Sequence, residues 1–214
     1  TWGICGNFTV GKSVYKDSFE EIMTSKIQHD VGSHSFSHRD FSKYLYHDAK
    51  SDLMKSIEVL RKSRRPTTFI FPFNKEGQIA LLRELEFTAY RGVEKKLTYP
   101  SRTHGLWNIN QTCFFSGMSS NVAAYNLLLR LLQLTNLAIR YGCVFHIWSH
   151  PWSMSMNGSA KRFAEKVLRP LFGYAEKKRG EKLLWICTMR QLANYCEARR
   201  NCIIEEHAKQ GNEI

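Results

Sequence analysis

The sequence predicts an α/β fold built on parallel strands, and three observations carry that expectation. Short apolar runs rich in β-branched and aromatic residues alternate with longer amphipathic segments along the chain. The 214 residues are enough to bury one sizeable core. With 13 glycines and 5 prolines, no flexible linker and no internal repeat interrupts the alternation. The strands suit either a closed barrel or an open sheet. In both, functional residues collect at the C-terminal ends of strands.

The elements follow in order. Thr1–Cys5 reads as a strand and Ser18–Thr24 as a short helix. Asp30-Val31-Gly32-Ser33-His34 reads as a strand end. Asp48–Arg61 is predicted helical, with Leu53, Ile57 and Leu60 on one face, and Pro66 stops it. Thr68-Phe69-Ile70-Phe71 is a strand ending at Pro72, followed by a helix at Lys75–Glu86 and a strand at Ala89–Val93. Tyr99–Gly117 reads mostly as loop, anchored by Trp107. Ser119–Tyr141 is a long helix with Ala124, Leu127, Leu128, Leu131 and Leu134 inward, and Cys143–Ser149 is a strand. A helix at Lys161–Lys178, bent at Pro170, and a strand at Lys182–Cys187 come next. Thr188 then caps a last helix, Met189–Arg199. Residues 1–200 are expected to form one domain and 201–214 a polar tail.

Composition narrows the function classes. Hydrophobic residues at 43% and charged residues at 23% argue against a disordered or low-complexity protein. The net charge of +12 favours anionic partners. Its bursts, such as Arg61-Lys62-Ser63-Arg64-Arg65, read as solvated surface, and no nucleic-acid motif accompanies them, so nucleic acid is not an expected partner. None of the six cysteines forms a C-x-x-C pair, and no disulfide framework is expected, which favours a reducing, cytoplasmic location. Cys143 and Cys187 lie in apolar runs and read as core residues. The most apolar window, Val122–Ile139, is broken by Asn126, Arg130, Gln133 and Asn136, so no transmembrane segment is expected.

Three segments could carry chemistry. In Gly32-Ser33-His34-Ser35-Phe36-Ser37-His38, two histidines stand four apart just past a strand end. One helical turn would place both imidazoles on one side, a spacing that suits Zn²⁺ or another borderline divalent metal. Ser35 and Ser37 could orient the rings. Alone, the pair fits surface or capping histidines equally well. In Phe145-His146-Ile147-Trp148-Ser149-His150-Pro151-Trp152, alternation puts His146, Trp148 and His150 on one face. Indoles beside His150 suit the C–H face of a sugar, whereas His146 reads as structural. In Phe69-Ile70-Phe71-Pro72-Phe73-Asn74, the strand end offers backbone N–H groups to an oxyanion.

Taken together and in this order, the three segments resemble the NodB-homology polysaccharide deacetylases, carbohydrate esterase family 4. Val31-Gly32-Ser33-His34-Ser35-Phe36-Ser37-His38 fits the metal-binding H-[ST]-x-x-H motif, and Ile70-Phe71-Pro72-Phe73 fits R-x-P-[YF]. Ile147–His150 fits the late strand with the catalytic histidine, and Leu184–Leu192 resembles the last strand and helix. The resemblance implies a deformed (β/α) barrel and one divalent metal, zinc or cobalt. It implies removal of an acetyl group from an N-acetylated or O-acetylated sugar or polysaccharide. His34 and His38 would be metal ligands, His150 the general acid, and the Phe73 amide an oxyanion donor. Trp148, Trp152, Pro72 and Asn74 would meet the substrate.

Two departures qualify that reading. The family's first strand ends in an Asp-Asp pair that supplies the base and a third metal ligand, and this sequence contains none. The resemblance places the pair upstream of Thr1, so the barrel is expected to be N-terminally incomplete. The motif arginine is Ile70 here, with Arg91 or Arg102 as candidate substitutes. A catalytically incomplete carbohydrate-binding domain of the same fold is the alternative.

Overall fold

The computed structural model describes residues 1–9, 14–27, 29–61, 64–114, 120–154 and 160–203. Strand β1 (Trp2–Ile4) leads through a 3-10 turn to α1 (Val14–Thr24), β2 (Val31–Ser33), α2 (Tyr46–Leu60) and β3 (Thr68–Ile70). Next come α3 (Ile79–Glu84), β4 (Ala89–Lys95), β5 (Ser101–Thr103), β6 (Leu106–Gln111) and β7 (Cys113–Phe114). The chain continues through α4 (Asn121–Tyr141), β8 (Ile147–Trp148), α5 (Pro151–Met154) and α6 (Ala160–Phe163). A π-helical turn (Ala164–Leu168) joins α6 to α7 (Arg169–Gly180), and α8 (Met189–Asn201) ends the described chain. The predicted tail beyond Ile203 lies outside the described residues.

One six-stranded sheet has the order β1-β2-β3-β4-β6-β5, parallel except for β5. Strands β7 and β8 form a second, parallel pair. Thr112 joins the two sheets: its N–H donates to the His146 carbonyl at 2.7 Å, and its Oγ1 accepts the His146 N–H at 3.0 Å. The parallel strands therefore all deliver their C-terminal ends to one rim.

Two apolar layers hold this sheet. On its outer face, Phe41, Phe69, Phe71, Phe87 and Tyr90 pack with Leu53 and Ile57 of α2 and Leu81 and Leu82 of α3. Four ring pairs in this layer sit 4.9–5.7 Å apart in T-shaped or tilted contacts. Each such pair adds about 0.5–1.5 kcal/mol beyond area burial. On the inner face, Ile70, Ala89 and Ile109 meet Met189, Leu192, Ala193 and Cys196 of α8. Thr188 caps α8 through a capping box with Gln191, as its sequence predicts. A buried Arg190–Asp30 ion pair at 2.9 Å ties α8 to the start of β2. Helix α8 thus closes the end of the strands opposite the rim.

Several elements differ from expectation. Tyr99–Gly117 contains β5, β6 and β7 rather than mostly loop. Its polar strands hide the pattern, but His104 (φ 49°) and Gly105 (φ 77°) form a two-residue turn with both residues left-handed, the geometry that favours a hairpin. Lys75–Glu86 is helical only from Ile79, because Gln78 adopts φ 54° and Gly77 lies flat on the Phe41 backbone. Lys182–Cys187 is not a strand. Leu183, Trp185 and Ile186 are exposed, and no described strand pairs with them, so no ladder can form. The expected strand at Cys143–Ser149 shrinks to Ile147–Trp148, with Val144 in an isolated bridge to Thr98.

Helix α4 is, among the described residues, long and apolar enough to cross a membrane by length and composition, with mean hydropathy 1.3. Its buried stripe, Ala124, Leu131, Thr135 and Ala138, faces the layer formed with Phe163, Val167 and Leu171. That packing accounts for part of its apolar character. All six cysteines are free; Cys5, Cys113 and Cys196 are the buried ones, while Cys143 and Cys187 are only partly buried.

Gly77 tests how the rim loops are packed. A Cβ there would lie 2.1 Å from the Phe41 carbonyl oxygen and 2.6 Å from the Ser42 nitrogen, both backbone atoms that cannot swing away. Gly77→Ala should cost about 1–3 kcal/mol of unfolding free energy, read from urea denaturation. An unchanged midpoint would show that the loop moves freely against Phe41.

Candidate active site at the strand ends

His34 follows β2 directly, and its N–H donates to the Ile4 carbonyl at 2.9 Å, extending the β1–β2 ladder by one step. Its Nδ1 lies 2.7 Å from the Ile70 carbonyl at the end of β3. A carbonyl only accepts, so Nδ1 carries the proton and Nε2 keeps its lone pair. This is the arrangement in which an imidazole is ready to bind a metal. Burial is the main force pushing the His34 pKa down, to about 4, with His38, Arg91 and His150 adding to it against the Ile70 hydrogen bond.

The segment from His34 to His38 makes no helical turn, unlike the expected geometry. Ser35 (φ 66°) and His38 (φ 54°) take left-handed backbone conformations instead. The two imidazoles still meet edge-to-face, 4.8 Å between centroids. Among the described residues, the Ser35 and Ser37 hydroxyls bond backbone, Tyr44 and Asp52 rather than an imidazole ring. The Ser35 Oγ accepts the His38 N–H at 2.9 Å, and the Ser33 Oγ accepts the Ser35 N–H at 3.2 Å.

The central support is Asp52, a buried carboxylate on α2. It accepts the Phe36 N–H at 2.7 Å and the Ser37 N–H at 3.1 Å, and it also takes the Ser37 hydroxyl. Nothing in the sequence pattern marked Asp52, because an acidic residue on an amphipathic helix reads as solvent-facing. The Cys5 side chain was also missed as a site residue. Its Sγ and the ring nitrogens of His34 and His38 all lie within 4.8 Å of one another. Burial, with Asp52 adding, pushes the Cys5 thiol up to about 12.

The other expected residues lie on the same rim. Pro72 is buried under a tight turn in which Phe73 (φ 55°) and Asn74 (φ 55°) are left-handed. The Phe73 ring is exposed and stands edge-on to His38, 4.8 Å between centroids. Such non-glycine outliers cost about 1–3 kcal/mol each and gather at functional sites. Asn74 is engaged by Arg91, whose Nη2 donates to its Oδ1 at 3.2 Å.

Arg91, rather than Arg102, occupies the site. It is 6% exposed, its guanidinium lies 4.3 Å over the Trp148 ring, and it makes no ion pair among the described residues. Burial lowers its pKa to about 10, so it stays cationic at neutral pH. Arg102 instead pairs with Glu197 on α8, against Trp107.

Trp148 is therefore covered on one side by Arg91, and Phe114 tilts against it 4.5 Å away. His150 lies 5.4 Å from Trp148 and stacks on Trp152 at 5.2 Å with a 13° interplanar angle. Trp152 is 63% exposed and forms the open aromatic surface. Burial, Arg91 and His38 together hold His150 below the usual imidazole range. His146 faces inward, its buried Nδ1 having no hydrogen-bond partner among the described residues, and burial assisted by Arg91 lowers its pKa to about 4 against backbone hydrogen bonds at Ile109 and Asn110.

No protein-family model matches the chain, and no curated protein matches it. Solved structures do. A protein described as a polysaccharide deacetylase from Mycobacterium smegmatis superposes with a TM-score of 0.66 at 14% identity, over 97% of this chain and 75% of that one. Puue allantoinase matches with a TM-score of 0.60 at 13% identity, over 82% of this chain and 61% of its own. A second protein described as a polysaccharide deacetylase, from Pseudomonas aeruginosa, matches with a TM-score of 0.57 at 13% identity, over 81% and 60%. The chain thus spans about three-fifths of the length of the latter two. The likeness establishes the fold as the mixed α/β, parallel-sheet architecture of the deacetylase-type (β/α) barrels.

Two outcomes follow from this geometry. Asp52→Ala leaves the Phe36 and Ser37 amides without acceptors and should cost about 2–4 kcal/mol. Asp52→Asn should cost less, since it keeps one acceptor. Wild-type stability in both variants would remove Asp52 from its supporting role. Second, His34 and His146 take up protons near pH 4 in the fold, against 6.5 ordinarily. The unfolded chain binds more protons between those values, so stability of the metal-free protein should be full above about pH 6.5 and fall as pH drops toward 4. Urea midpoints measured across that window check it, and His146→Gln should flatten the slope.

Proposed function

We propose that this protein is a metal-dependent hydrolase that removes acetyl groups from an N-acetylated or O-acetylated sugar or polysaccharide. The observation that carries this reading is the convergence of His34 and His38 with His150 and Trp152 at one rim of parallel strand ends. The His34 tautomer fixed by Ile70 fits a metal, because it leaves Nε2 as the donor. A divalent ion, zinc or cobalt, held by His34 and His38 would polarise the acetyl carbonyl and acidify a water.

The chain's own groups do the rest. His150 donates a proton to the leaving amine or alkoxide. Its depressed pKa makes it a strong acid once protonated. The Phe73 amide donates to the oxyanion that develops on the acetyl oxygen. Trp152 offers its exposed indole to a sugar ring, and Trp148, Asn74 and Pro72 would complete the substrate site. Arg91 adds fixed positive potential beside the developing negative charge. The substrate is an acetylated glycan, and no nucleic acid is required.

The alternative is a carbohydrate-binding domain that does not catalyse. It is favoured by one observation: the cluster that could hold a metal contains a thiol and no carboxylate to act as base.

Acetate release from acetylated chito-oligosaccharides and O-acetylated xylan separates the two. The hydrolase reading expects release that chelation abolishes. His34→Ala should lose at least about a hundredfold in kcat/KM, and His150→Ala should lose about 10²–10⁴ in kcat. Trp152→Ala should raise KM about three- to tenfold with kcat retained. Saccharide binding indifferent to chelators, with no acetate released, would establish the binding domain instead.

A further inference from the structure

We infer that Cys5 is the third protein ligand of the metal held by His34 and His38, so that the donor set is one thiolate and two imidazoles. This rests on the metal-dependent reading above and names the ligand chemistry of that site.

The strand register puts Cys5 there. In the β1–β2 ladder, Gly3 pairs with Gly32 and Ile4 with Ser33, which brings Cys5 opposite His34 one step further on. Alternation sends the side chains of Cys5 and His34 to the face lined by Gly3 and Gly32. Both glycines are tight against the inner face: a Cβ on Gly3 would meet Ile70 Cδ1 at 2.6 Å, and one on Gly32 would meet Thr68 Oγ1 at 2.7 Å. The chain then leaves β1 through Gly6, whose N–H donates to the Ser35 carbonyl at 2.9 Å. A Cβ on Gly6 would strike Phe36 Cδ2 at 2.7 Å. Only a bare backbone there lets the end of β1 lie against the histidine loop and carry Cys5 to it.

The donor atoms are close enough to share an ion. Ligands around one tetrahedral Zn²⁺, at about 2.0–2.3 Å from it, stand about 3.5 Å from one another. The three here lie within 4.8 Å of each other. Among the described residues the Cys5 thiol makes one hydrogen bond, donated to the His34 carbonyl at 3.3 Å, a weak bond that a metal bond would replace. A buried cysteine is ordinarily a small apolar filler. Two imidazoles converging on it are what set this one apart.

The ligand chemistry has a consequence for the metal. Thiolate and imidazole select zinc or cobalt and discriminate against the oxygen-preferring Mg²⁺, Ca²⁺ and Mn²⁺. With three protein ligands, a four-coordinate ion would keep a place for water or substrate, as catalytic sites require.

Titrating the metal-free chain with Co²⁺ tests the assignment by spectroscopy, independently of activity. The expected result is one bound Co²⁺ per chain with a sulfur-to-cobalt charge-transfer band in the near ultraviolet. Zn²⁺ should displace it, and excess Mg²⁺ should not. Cys5→Asp should keep Co²⁺ and its visible bands but lose the charge-transfer band. Cys5→Ala should bind at least about tenfold more weakly. Co²⁺ binding that is lost in His34→Ala, yet shows no charge-transfer band in the wild type, overturns the role of Cys5 and leaves the metal site standing. No stoichiometric Co²⁺ in the wild type overturns both. The wild-type spectrum decides even where a variant fails to fold.

Discussion

The candidate site depends on one buried carboxylate. Asp52 sits on α2 among residues that pack the outer layer, yet its oxygens point along the helix surface to the amides of Phe36 and Ser37. The loop it clamps holds two left-handed non-glycine residues, Ser35 and His38, whose conformations are individually unfavourable. Charged hydrogen bonds are worth about 1.5–3 kcal/mol each, which is the scale needed to hold such a loop in one shape. Helix α2 therefore does two jobs: Leu53 and Ile57 anchor it to the sheet, and Asp52 transmits that rigidity to the histidines.

The sheet supplies the remaining precision. Because β1 through β4 and β6 run parallel, residues one step beyond each strand are neighbours across the rim. Cys5 follows β1, His34 follows β2, the Ile70 carbonyl ends β3, Arg91 lies in β4, and His150 comes just after β8. Groups more than a hundred residues apart meet without any of them needing a long or adaptable loop. The opposite end is closed by α8 and the Arg190–Asp30 pair, so movement at the rim is not relieved from below.

What was legible in the sequence follows from this division. Alternating strand and helix patterns made the parallel α/β fold readable, and the four-residue spacing singled out His34 and His38, although the helical turn expected to bring them together does not form. The hairpin at Ser101–Gln111 was hidden because Asn108, Asn110 and Gln111 are polar, while the signal of strand is usually read from apolar alternation. Leu183–Cys187 carried that apolar signal and forms no strand, since a strand exists only where a second backbone runs beside it. Asp52 and Cys5 were unreadable for a common reason: each looks ordinary for its element, and only the register of neighbouring strands or the path of a loop gives it a role. Arg91 stood in between, legible as a charge in an apolar strand but ambiguous with Arg102 until one was found inside and the other on α8.

The electrostatics of the rim connect these residues. Arg91 is buried, cationic and without an ion-pair partner among the described residues, and it lowers the proton affinity of His34, His146 and His150. It adds to burial, the larger effect, in keeping His34 neutral, which is the form that binds a metal. The same charge opposes a divalent cation placed beside it. With two neutral imidazoles as the whole donor set, the ion and Arg91 would bring three positive charges into a partly buried space. The proposed Cys5 thiolate removes one of them before substrate arrives. Under the proposed hydrolysis, the negative charge developing on an acyl oxygen would lower the remaining excess further, so the site would come nearer to neutrality at the transition state than before it. A site balanced in that direction would stabilise a transition state more than the ground state, which is what the hydrolase reading requires and the binding-domain reading does not.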